Sequence, residues 1–240
     1  YLGENGVHRV PIWRMAGFAC NNLATNMYMF SMMYISYYLI GFVGVATVLA
    51  SSFSTIMRIW DGVTDPFVGL LVDKTDGKFG KNRPFMVLGN VVLAITSFIL
   101  FHVTHHLPMA ARFPFFIVIS ALYYMGYTAQ CVVTKSAQTC LTNDPKQRPT
   151  VGVWMTIFNY MVPMALTIVL NVVMLPMFGG TYNQAFLSAA AFVCVGLSLI
   201  GVILVCIGIS AYDKPEFFEG TNKTQERLKV RDMIDVLKNN

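Results

Sequence analysis

Ser54-Thr55-Ile56-Met57-Arg58-Ile59-Trp60-Asp61-Gly62-Val63-Thr64-Asp65-Pro66, running on to Gly80-Lys81-Asn82-Arg83-Pro84, is the stretch that decides the fold. Its first part holds two carboxylates and a guanidinium in a run otherwise apolar enough to cross a bilayer. Arg58, Asp61 and Asp65 stand three and four residues apart, so on a helix they share one face. A charge near the bilayer centre costs at least about 2.5–3.5 kcal/mol on insertion scales, so a retained stripe of charge points to an ion or proton pathway.

The surrounding chain fits that reading. Hydrophobic residues make up 55% of the 240 and charged residues 12%, against about a quarter charged in soluble domains, so the composition is that of a membrane protein. With about 20 apolar residues to a crossing, six candidate spans lie at roughly 15–40, 45–72, 85–104, 113–141, 151–178 and 185–211. The first is not a secretory signal, because no small-residue cleavage site follows it. The expected fold class is an all-α membrane protein, with a transmembrane bundle over 1–212 and a cytoplasmic segment over 213–240. In that segment Val230, Met233, Ile234 and Leu237 give an amphipathic pattern too short to span.

Charge sorts by connector. Arg9 and Arg14 precede the first span; Lys74, Lys78, Lys81 and Arg83 follow the second; Lys146 and Arg148 follow the fourth; and more bases follow Lys214. The other side carries Arg112, with His102, His105 and His106 nearby. The positive-inside rule then places both ends in the cytoplasm. Bases scattered among short loops do not make a nucleic-acid surface. The five cysteines, all in apolar stretches, read as free thiols without metal spacing.

Polar residues inside the other spans mark a candidate cavity. Asn22 and Asn26 lie one turn apart in the first. Thr128, Cys131, Lys135 and Gln138 form one stripe down the fourth, and Thr156 and Asn159 precede Pro163 in the fifth. Counted from the cytoplasmic helix ends, Lys135 and Asp65 come to similar depth. Lys135 has two readings, balancing Asp65 or meeting an anionic ligand. Pro163 should kink its helix, and the carbonyl it frees must find another donor. The small residues of the sixth span (Gly196, Ser198, Gly201, Gly208) read as scaffold.

Arg-Ile-Trp-Asp-Gly-Val-Thr-Asp-Pro at 58–66, with Gly69, Asp73, Gly80-Lys81, Arg83-Pro84, the Tyr127-Thr128 pair and the turn from Thr142 to Arg148, resembles the glycoside–pentoside–hexuronide:cation symporters of the major facilitator superfamily. The resemblance implies a six-helix half bundle, the N-terminal half of a twelve-crossing carrier together with the start of its central loop. It implies a coupling-cation site of Asp61, Thr64, Asp65 and Thr128, taking Na+ or H+, with no organic cofactor. It implies a sugar or glycoside substrate reached by Asn22, Asn26, Cys131, Lys135, Gln138, Thr156 and Asn159, and a gating loop of Asp73, Gly80, Lys81 and Arg83. Several positions depart from the melibiose-permease pattern, where Asn stands at 64, Lys-Asp at 21–22, and Asp and Trp at 131 and 135. The chemistry agrees with a cation site, since a small hard cation takes several oxygen ligands. The resemblance implies no enzyme, and no His pairs with an acid or nucleophile as a lipid-directed enzyme would require. The same fold would also serve a cation-coupled lysolipid symporter or a non-transporting membrane sensor.

Overall fold

The computed structural model describes residues 9–44, 47–75 and 80–213. The amphipathic segment expected beyond 213 and the side chain of Asp73 lie outside the described residues. Among the described residues every regular element is helical. α1 (Ile12–Met33) is prolonged by Ile35–Tyr38 and a π-helical turn, Leu39–Val43. α2 (Thr47–Asp73), α3 (Arg83–His102) and α4 (Met109–Leu141) follow. α5 (Arg148–Ile168) is prolonged by a π-helical stretch, Val169–Met174, and the short Leu175–Met177, and α6 (Gln184–Ile209) comes last.

Among the described residues four stretches are long and apolar enough to cross a membrane: Arg83–His106, Met109–Gln138, Arg148–Met177 and Gln184–Ile209. α1 and α2 are of comparable length but carry the amides and the charged stripe. Their ends have local causes. Pro11, extended at φ −61° and ψ 146°, precedes α1 and cannot belong to an earlier turn. The π turn after α1 closes on Gly44 at φ +75°, a left-handed conformation suited to glycine. α3 and α5 each carry proline in the first turn, where the missing N–H costs nothing.

Packing follows the order α2, α4, α3, α6, α1, α5, each helix against the next, with a lighter contact of α1 across to α4. The tightest approaches use small residues, as the sixth span promised. A Cβ at Gly208 would lie 3.0 Å from the backbone of Gly17 and Phe18, and one at Gly89 would lie 2.9 Å from the Gly126 carbonyl. Buried aromatics, among them Tyr28, Tyr38, Phe53, Phe116, Tyr123 and Phe186, fill one end of the bundle. A smaller cluster around Phe18, Met86, Val133 and Val205 fills the other. The outer surface stays apolar: Ile59, Phe67, Met161, Met164 and Ile203 are all exposed. In water that would be an aggregation surface, and in lipid it is the natural one.

Candidate cation and substrate site

α2 and α4 lie side by side with their charged and polar faces turned to one cleft of about 390 Å³. Arg58, Asp61, Gly62 and Asp65 line it from α2, and Tyr127, Thr128, Cys131, Val132 and Lys135 from α4. Two hydrogen bonds fix the register. The Trp60 indole N–H donates to the Ala121 carbonyl at 3.0 Å, and the Thr128 hydroxyl donates to Asp65 Oδ1 at 3.0 Å. Asp61 Oδ1 is buried with no hydrogen-bond partner. Pro66, inside α2, has no N–H to give the carbonyl of Gly62, so one more lining residue carries a backbone oxygen without its usual donor. The cleft therefore gathers oxygens short of donors, the chemistry a hard cation or a proton needs.

The four charges in the cleft, Arg58 and Lys135 against Asp61 and Asp65, sum to zero. Among the described residues the ion pairs are Arg9–Asp144 at 2.6 Å and Arg83–Asp213 at 3.4 Å, and no pair closes within the cleft. Lys135 is not level with Asp65, as counting from the helix ends suggests. Thr128 stands opposite Asp65, and Lys135 comes seven residues later. α4 simply continues further past that level than α2 does.

Thr64 does not join the site. It is buried, and its hydroxyl donates back to the carbonyls of Trp60 and Asp61 in its own helix at 3.0 and 3.3 Å. At about 100° per residue, Asp61, Asp65, Arg58 and Gly62 share an arc of roughly 100°, and Thr64 falls outside it on the side packed against α4.

The remaining candidates divide between two other places. Asn22 donates to the Met155 carbonyl at 2.9 Å, and Asn26 donates to Asn159 Oδ1 at 2.9 Å, so these amides join α1 to α5. Thr156 is exposed and bonds back to Gly152. Gln138 is exposed, one turn beyond Lys135, and does not line the cleft. Asn26 also lies 3.4 Å from the backbone oxygen of Asn159, the carbonyl that Pro163 frees. The donor that the kink demanded is thus an asparagine of the neighbouring helix.

Gly80, Lys81 and Arg83 converge on Asp213, the first residue of the segment expected over 213–240. Asp213, fully buried, accepts from the backbone N–H groups of Lys81 (3.2 Å), Asn82 (3.2 Å) and Arg83 (3.0 Å), and from the side chains of Asn82 and Arg83. Gly80 adopts φ +91°, and any Cβ there would overlap the Asp213 carboxylate. The signal was present: an acid just past the C-terminus of a helix opposes that helix's dipole, so it must answer a positive end elsewhere, here the N-terminus of α3.

The family model described as MFS/sugar transport protein matches residues 17–240. An uncharacterized symporter, YnaJ, of Bacillus subtilis (strain 168) is 32% identical over 101 residues, covering 40% of this chain and 22% of the relative. A glucuronide carrier protein homolog of Escherichia coli (strain K12) is 28% identical over 147 residues, 58% of this chain and 31% of the relative. The isoprimeverose transporter of Lactiplantibacillus pentosus is 24% identical over 237 residues, 95% of this chain and 46% of the relative. The chain thus spans less than half the length of each of these relatives.

Proposed function

The chain belongs to the MFS/sugar transport protein family, and on that premise we propose that it is the part of a cation-coupled sugar symporter that carries the coupling-ion site. All six helical stretches cross the cell (inner) membrane in this reading, with both ends of the bundle in the cytoplasm. Support for the orientation is the grouping of Lys74, Lys81, Arg83, Lys146 and Arg148 at one side against Arg112 at the other. The substrate is a sugar, glycoside or hexuronide.

The observation that carries the reading is the α2–α4 cleft, where Asp61 keeps a buried carboxylate oxygen without a donor beside the Asp65–Thr128 pair. A small cation or a proton arriving there neutralises part of the acidic pair and supplies the missing partner. Movement of the bundle with those acids unsatisfied is disfavoured in a low dielectric, so ion and sugar cross together as the access side alternates. The α1–α5 seam of Asn22, Asn26 and Asn159 supplies polar groups for sugar hydroxyls. The full-length protein in liposomes, given Na+ and pH gradients separately, tests this. Sugar accumulates under one gradient and not the other; equal downhill entry whatever gradient is imposed would overturn the proposal.

A further inference from the structure

Resting on the reading of Asp61 and Asp65 as the ion site, we infer that Lys135 is a resident counter-cation that competes with the coupling ion for those carboxylates. The register of the two helices sets the order of charges along the cleft. Trp60 meets Ala121 and Asp65 meets Thr128, so the partners advance together and α2 and α4 run the same way. Arg58 lies seven residues before Asp65 on α2, and Lys135 lies seven after Thr128 on α4, each about 10 Å along the helix. The sequence of charges is therefore positive, negative, negative, positive: Arg58, Asp61, Asp65, Lys135.

A carboxylate pair bracketed in this way is neutral without any visitor. An entering cation adds a third positive charge, and one resident must withdraw. Lys135 is the one equipped to do so. Its ammonium is a compact point charge on a flexible stem, the closest side-chain mimic of a small hard cation, whereas guanidinium is planar and delocalised. Lys135 is exposed, closes no ion pair among the described residues, and meets no other acid along the cleft. Its charge at such a distance from Asp65 is worth about a factor of ten or more in ion affinity at an effective dielectric constant near 20. This assigns Lys135 to setting the ion affinity, which separates it from a residue that only touches sugar.

The experiment is equilibrium binding of Na+ to the purified full-length protein without sugar, with pH titration as a second arm in case the ion is a proton. The groups facing the carboxylates in that arm are Arg58, Tyr124, Tyr127, Cys131 and Lys135. Lys135→Gln tightens ion binding about tenfold or more, or moves half-protonation up by about one pH unit. Lys135→Arg, which keeps the charge, does not tighten ion binding. Unchanged or weaker ion binding in Lys135→Gln, with the protein folded, overturns the inference; accompanied by lost sugar affinity it assigns Lys135 to the substrate. An Asp65→Asn variant that keeps the wild-type ion response would instead remove the site on which the inference stands.

Discussion

Asp61 and Asp65 differ in how their oxygens are satisfied: Asp65 takes the Thr128 hydroxyl, and Asp61 keeps one buried oxygen with no donor. Thr128→Val removes that hydroxyl at constant volume. A hydrogen bond to a charged acceptor is worth about 1.5–3 kcal/mol and stabilises the ion-free carboxylate, so its loss raises apparent ion or proton affinity about tenfold or more; titrating ion-dependent sugar binding reads this out. A second acid works outside the membrane. The Lys146 backbone N–H and the Arg9 guanidinium hold the Asp144 carboxyl below the usual carboxylate range. A depressed folded-state value stabilises the fold above the unfolded value, near 3.8, and that contribution is lost as pH falls through the folded value. Asp144→Asn is therefore expected to flatten the acid limb of a melting-temperature profile, leaving the neutral limb parallel to wild type.

Helix–helix contacts in this bundle rely on groups that a single-helix view does not rank. The four apolar stretches were legible because each exceeds the length of a crossing, and the charged face of α2 was legible from its spacing. Thr64 was assigned to the site by resemblance, which does not tell where its hydroxyl turns, and in the structure that hydroxyl bonds back into its own helix. The partner of Asp213 could not be read either, since it lies more than a hundred residues away in sequence, at Lys81–Arg83. Two variants test these contacts. Asn26→Ala leaves both Asn159 oxygens without their donor and is expected to cost about 1–2 kcal/mol, seen as a lowered melting temperature with altered α5 accessibility. Asp213→Ala strips three backbone N–H groups and Arg83 of their acceptor; it costs at least about 3 kcal/mol and exposes the Gly80–Arg83 turn to proteolysis.

Across the described residues, the packing order leaves α2 and α5 at the two ends of the helix sequence, each packed mainly against one other long helix. α2 carries the charged cleft and α5 the proline-bearing, amide-linked face, so the candidate site groups sit on the end helices of that order. Small residues join α6 to α1 and α3 to α4, through glycines that do not line the cleft. Such an arrangement suits a carrier whose site opens to alternate sides. The proposed role of the α2 acids is to couple sugar movement to an ion gradient. It is tested most directly by comparing wild type with Asp65→Asn in sealed liposomes, measuring both uphill sugar accumulation and sugar exchange at equal concentrations. The account predicts that Asp65→Asn loses uphill accumulation while exchange persists. Undiminished uphill accumulation in the variant would contradict it.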